Sequence, residues 1–119
     1  MNIDDNALRK VAEEVGKIRP RFPDNCCTHA ATELSKKYGL DIEAGYLCGH
    51  GHTWNVDPET EKIYDITAGQ FGLPSILVLS REEAINLYGY VPDEEVTSAV
   101  LDLLAEEQKQ AELESLFHL

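Results

Sequence analysis

Apolar residues recur along this chain with two periods, and the change from one to the other divides it. Leu8, Val11, Ala12, Val15 and Ile18 fall at helical intervals over residues 4–18, and Asp4 or Asp5 stands where a cap is needed. Arg19-Pro20-Arg21-Phe22-Pro23 stops that helix, because each proline biases its predecessor away from the helical region. Asp24-Asn25 then offers an N-cap for a second helix over residues 26–38, closed by Gly39. Within it Cys27, Ala31, Leu34 and Tyr38 make one stripe at i, i+4, i+7 and i+11. Beyond residue 42 the period shortens to two. Residues 42–47, 51–56 and 62–67 read as strands, the last two flanking the turn-rich Asp57-Pro58-Glu59-Thr60. Residues 68–74 are a loop by composition, and the continuous apolar run at 75–79 reads as a buried strand. Residues 81–88 form a short helix ended by Gly89. After Pro92, Asp93 caps a long helix with Val96, Val100, Leu103, Leu104, Leu113 and Leu116 as its apolar stripe.

The order is helix, helix, two or three antiparallel strands, helix, helix. That predicts an α+β fold in a single domain over residues 1–119: a cysteine-led helix packed on a small antiparallel sheet, with a core at about 24–79 and flanking helices at about 4–18 and 93–117.

The hairpin places two polar side chains oddly. If residues 57–60 are the loop, Val56 pairs with Glu61 and His52 lies opposite Asp65; a slip of two residues still leaves both on one face. Trp54, Val56 and Ile63 share that face, so it is the buried one. The stripe of the second helix is its expected partner, which aims Cys27 at His52.

Composition narrows the function classes. With 119 residues and 43% hydrophobic content the chain can bury a core without staples. A net charge of −12 excludes a phosphate-backbone binder and favours a neutral or basic protein or peptide as partner. Three cysteines, two of them adjacent, make no disulfide framework and point to a reducing, cytoplasmic setting. The start MNIDDNALRK lacks the apolar core of a signal peptide, and no apolar run reaches membrane-spanning length. No membrane is therefore expected among the partners. Leu116, Phe117 and Leu119 end an acidic helix and have two destinations, the domain itself or another subunit of an oligomer.

The candidate chemistry is that of a thiol nucleophile. At a helix N-terminus Cys27 feels a partial positive charge that raises its thiolate fraction; an imidazole beside it moves the proton, and a carboxylate behind the imidazole fixes the tautomer. Cys27, His52 and Asp65 fill these roles, with Cys26 as the alternative nucleophile, about 100° round the helix and aligned with Ala30. Small buried cysteines also simply pack. Asn25 is a candidate oxyanion donor, Gln70 a candidate for orienting the imidazole, holding substrate or holding its loop, and Trp54, chiefly core filling, a further candidate substrate contact. Cys48, His50 and His52 alternate along one side of an extended segment, but they match no zinc-ligand spacing; no metal and no cofactor are expected. The glycines flanking His50 let the backbone approach a substrate, and His29 points away from the site.

These residues resemble a known pattern. A cysteine opening an Ala/Leu-striped helix, then His52-Thr53-Trp54-Asn55-Val56, then Tyr64-Asp65-Ile66-Thr67, is similar to the catalytic core of the transglutaminase-like branch of the papain-like superfamily. Members carry Cys, His and Asp in this order, often as His-x-Trp and Asp-x-Thr. The run from Asp65 to Phe71 also resembles small bacterial and phage proteins of that superfamily. The resemblance covers about residues 24–79. It implies thiol attack on an amide or ester carbonyl, with the acyl group passed to water (peptidase, deamidase) or to an amine. A non-catalytic adaptor or inhibitor on the same fold is the alternative.

Overall fold

The computed structural model describes residues 3–117. Its elements are α1 (Asp5–Ile18), α2 (Cys27–Tyr38), β1 (Asp41–Leu47), β2 (His50–Val56), β3 (Ile63–Asp65), a 3-10 turn (Ala68–Phe71), β4 (Leu77–Leu79), α3 (Arg81–Tyr88), β5 (Val91–Pro92) and α4 (Glu94–Phe117). The class is α+β: among the described residues, four helices accompany one five-stranded sheet of order β4-β3-β2-β1-β5, antiparallel at every pairing.

Local chemistry sets most boundaries. Asp4 caps α1 by accepting from Ala7 N at 2.8 Å, and Ser80 and Glu83 form a reciprocal capping box on α3. Asp93 caps α4 through Val96 N. The second helix differs from expectation: it begins at Cys27, and its N-cap is Cys26, with no side-chain bond to the first turn. Asn25 instead takes a left-handed conformation (φ 56) and is exposed, so it turns the chain rather than capping the helix.

The β2–β3 register is the slipped one. Val56 faces Ile63 and Asn55 faces Tyr64, because the connection takes in residues 57–62. Asp57 N donates to Lys62 O, Glu61 N donates to Asp57 O, and Asp57 Oδ1 accepts from Glu59 N. The five strands exceed the two or three expected. The run at 75–79 gives only β4, an edge strand with Val78 exposed, and a second short edge strand, β5, covers the far side of β1. The expected loop at 68–74 opens with the 3-10 turn.

The sheet is covered on both faces. On one, Trp54, Val56, Ile63 and Leu77 pack with Leu47, Ala68, Ala84 and Tyr90. On the other, Tyr64 and Ile66 pack with α1 and α2 through Leu8, Val11, Val15, Cys26, Ala30 and Leu34. The cysteine-led helix therefore does not cover the His52 face as its stripe predicted. It covers the opposite face, where Asn55 Nδ2 donates to Ala31 O at 2.9 Å and Thr28 and Thr53 hydroxyls meet at 3.3 Å. The buried line on α2 is accordingly Ala30, Ala31 and Leu34, continued by Cys26, while Tyr38 is partly exposed.

The terminal helices depart from their predicted stripes. Ile18 is exposed, as are Leu103, Leu113, Leu116 and Phe117, and α4 has no buried residue. Its contact with the body centres on β1, where Thr97 Oγ1 accepts from Ala44 N and donates to Ala44 O. Leu119 lies outside the described residues.

Candidate active site

His52 and Asp65 lie on neighbouring strands but are not cross-strand partners. In the observed register Asp65 falls beside Trp54, so His52 is its diagonal neighbour on the same face. His52 Nε2 nonetheless reaches Asp65 Oδ2 at 2.7 Å, with both side chains essentially buried. A carboxylate taken out of water needs donors for its lone pairs, and Asp65 has them. Thr67 gives Oδ1 its backbone N–H at 2.9 Å and its hydroxyl at 3.2 Å, and Tyr90 gives Oδ2 its phenol at 2.7 Å.

The third member comes from the other face of the sheet. The β2–β3 ladder ends at Asn55 and Tyr64. The N-terminus of α2 meets β2 near that end, where the Thr28 and Thr53 hydroxyls stand 3.3 Å apart, and Cys27 is the helix residue that reaches His52. Its thiol lies beside His52, the backbone N–H of Thr53 and the side chain of Thr28. His52 Nδ1 is buried and makes no closed hydrogen bond, so the thiol is a neighbour rather than a bonded partner in this state. Such loose spacing is ordinary for a nucleophile–base pair without substrate.

Electrostatics separate the two cysteines. Burial works against a Cys27 thiolate, but the adjacent His52 ring and its charge, then Thr53 N–H and Thr28, outweigh it and hold the thiol below its usual range. Burial also works against a charged His52, yet Asp65 and Cys27 together raise it to about 9. Both directions favour a thiolate–imidazolium pair, with Asp65 behind the imidazolium. Cys26 is only 3% exposed and sits in the α1–α2 core, where burial and then the neighbouring Cys27 push its thiol up.

The surroundings of the imidazole are aromatic. Phe71 meets its ring edge-on at 4.9 Å, and Trp54 and Tyr90 stand at 5.9 and 6.5 Å. Trp54 is fully buried, and its indole N–H donates to Glu43, itself held by Arg81. It is core packing, which removes it from substrate contact. Gln70 sits on the 3-10 turn next to Phe71, and its Nε2 is buried without a partner, so it does not orient the imidazole; Asp65 does. Asn25 is exposed just outside α2, with no hydrogen bond found among the described residues. His29 accepts from Arg19 Nε at 3.0 Å and stands 3.8 Å from Glu33. His50 and Cys48 are exposed at the β1–β2 hairpin tip, where Cys48 (φ 53) and Gly49 (φ 77) form the two-residue turn. Among the described residues no three His, Cys, Asp or Glu side chains are grouped to hold a metal ion.

Sequence reasoning missed two contributors. Thr67 had a local signal, since a side-chain oxygen accepting from the N–H two residues on is the Asx-turn habit of aspartate. Tyr90 had none: it stands twenty-five positions from Asp65 and outside the core range. Compared with protein-family models, curated proteins and solved structures, the chain matches none.

Proposed function

We propose that the chain is a cysteine-dependent acyl-transfer enzyme acting on an amide or ester bond. The observation that carries this reading is the division of the imidazole: Nε2 is committed to Asp65, and Nδ1 is left unpaired beside a thiol of lowered pKa. The Cys27 thiolate attacks the carbonyl carbon, and the C=O electron pair moves onto oxygen. His52 gives its Nδ1 proton to the leaving amine or alkoxide as the tetrahedral centre collapses to a thioester. It then takes a proton from water or an incoming amine, which displaces the thiol. Asp65 keeps the ring in place and stabilises its cationic form. No side chain caps α2, so its first N–H groups are free to face the developing oxyanion.

The resemblance to the transglutaminase-like branch of the papain-like superfamily, in small bacterial and phage-type form, agrees with this assignment, and the net charge of −12 favours a neutral or basic peptide substrate. The test is alkylation by iodoacetamide at pH 7. Cys27 should react well ahead of a free thiol and lose that advantage in His52→Ala; a rate equal to a free thiol in the parent chain overturns the reading.

A second reading is supported by the exposed Leu113, Leu116 and Phe117 on α4, the last 84% exposed: a binding or adaptor protein that engages a partner, or a second copy, through that helix. Stoichiometric binding that survives loss of both Cys26 and Cys27 supports it.

A further inference from the structure

The two oxygens of Asp65 are held from different parts of the chain. Oδ1 is fixed locally by Thr67. Oδ2 takes two donors at the same length, His52 Nε2 and the Tyr90 hydroxyl, each at 2.7 Å. A carboxylate gripped at one oxygen can still pivot about that grip, and an imidazole that itself turns about its side-chain bonds is a poor stop. A second rigid donor on Oδ2 is what fixes the plane.

Tyr90 is built as such a donor. Gly89 takes the left-handed conformation that ends α3, and Tyr90 N then donates to Ala84 O at 3.1 Å. The next two residues are β5, paired to β1 with Val91 opposite Tyr46 and Pro92 opposite Gly45. Gly45 in turn lies opposite His52 in the β1–β2 ladder. The Tyr90 ring is 1% exposed and stands edge-on to Trp54 at 5.0 Å. Burial, and then the charge of Asp65, push its phenol far above the usual range, so it remains a donor at any pH of interest.

We propose that Tyr90 is a positioning residue of this site: its hydroxyl pins Asp65 Oδ2 where that oxygen receives His52 Nε2–H, and thereby fixes Nδ1 as the nitrogen facing Cys27. The use made of that nitrogen rests on the acyl-transfer reading, but the positioning can be observed without it. By sharing Oδ2, Tyr90 also draws off part of the carboxylate charge that the imidazolium feels, so it moderates how tightly His52 holds its second proton.

The experiment is a nitrogen-15 NMR titration of the His52 ring in the parent and in Tyr90→Phe, which keeps the ring and its packing. In the variant Oδ2 serves His52 alone, and the titration, at about 9 in the parent, moves up by about one pH unit. Tyr88→Phe, a neighbouring phenol outside the site, leaves it in place. Site-specific 3-fluorotyrosine in place of Tyr90, a stronger donor of the same shape, moves it down and gives a readout if Tyr90→Phe folds poorly. A titration unchanged by both replacements of Tyr90, whatever happens to melting temperature, overturns the proposal and leaves Tyr90 as packing. If the parent thiol alkylates no faster than a free thiol, the acyl-transfer reading fails, while the titration still decides the role of Tyr90.

Discussion

Asp65 and His52 meet diagonally across β2 and β3, with Oδ2 and Nε2 2.7 Å apart although their backbones are two residues out of step. The geometry makes the pair depend on the side chains' reach and on what else holds the carboxylate. Replacing Asp65 with Asn should therefore cost more than one hydrogen bond. The amide leaves its Nδ2–H₂ facing donors, and the imidazolium loses its counter-ion. We expect a stability loss of about 3–5 kcal/mol in urea unfolding, and the alkylation advantage of Cys27 at pH 7 should disappear. A variant as stable and reactive as the parent contradicts the assignment of Asp65.

The two adjacent cysteines should separate cleanly. Cys26→Ala opens a small void in the α1–α2 core and should cost about 1–2 kcal/mol while leaving the fast-alkylating thiol in place. Cys27→Ala should abolish fast alkylation and move the unfolding midpoint little. Mass mapping of the labelled peptide at substoichiometric reagent reads both; label on Cys26 in the parent reverses the choice of nucleophile.

A pH dependence of stability follows from His52. Its folded pKa is raised above the unfolded 6.5, so its contribution is fully present below about 6.5 and is lost as pH rises through about 9. Cys27 has the opposite linkage, because its folded pKa is lowered. Its contribution is present above the unfolded thiol value and fades as pH falls. Urea midpoints between pH 6 and 8 on Cys27→Ser isolate the histidine, because the raised Cys26 thiol and the raised Tyr64 and Tyr90 phenols add their own losses only at higher pH. They should fall with rising pH, over a window narrower than in the parent because one of the groups raising His52 has gone. A flat profile shows that Asp65 does not raise His52.

Gly45 offers a mechanical test of the β5 strap. A Cβ at this position meets Val91 O at 2.1 Å and Pro92 Cα and Asp93 N at 3.0 Å, all backbone. Gly45→Ala should push β5 off the sheet, cost about 1–3 kcal/mol and disturb the His52 ring signals through Tyr90. Ring signals identical to the parent's show that β5 does not govern the placement of Tyr90.

The projecting half of α4 should be nearly neutral to folding. Leu113, Leu116 and Phe117 are exposed, so replacing all three with Gln should change monomer stability by no more than about 0.5 kcal/mol per site. Light scattering on the same variant reads association. A large loss of stability, with the parent a monomer, shows that this helix packs on the body.

The parts of this fold that the sequence revealed are those determined by neighbours along the chain. Asp4 and Asp93 place two helix starts within a turn, and Gly39 and Gly89 place two of the ends. The shared face of His52 and Asp65 survived an error of register, because a slip of two residues preserves the side of the sheet. The packing partner of α2 was not legible. Its Cys27 stripe and its Ala30–Leu34 line differ by one residue, and only the arrival of α1 on the far face, with Tyr64 and Ile66 as the floor, decides which is buried. Tyr90 was hidden for a related reason, since its position depends on a two-residue strand that exists only where Gly45 lets another backbone come close.

Cys27 stands on α2, whereas His52 and Asp65 stand on β2 and β3 of the sheet. The thiol is mounted on one packed layer and the imidazole–carboxylate pair on the other, so their separation is a property of how the layers are seated and of no single side chain. A small slide of α2 along α1 would move the Cys27 thiol while leaving the His52–Asp65 pair intact. Substitutions as remote as Leu8 or Val11 thus have a route to the reactivity of the Cys27 thiol that passes through neither His52 nor Asp65.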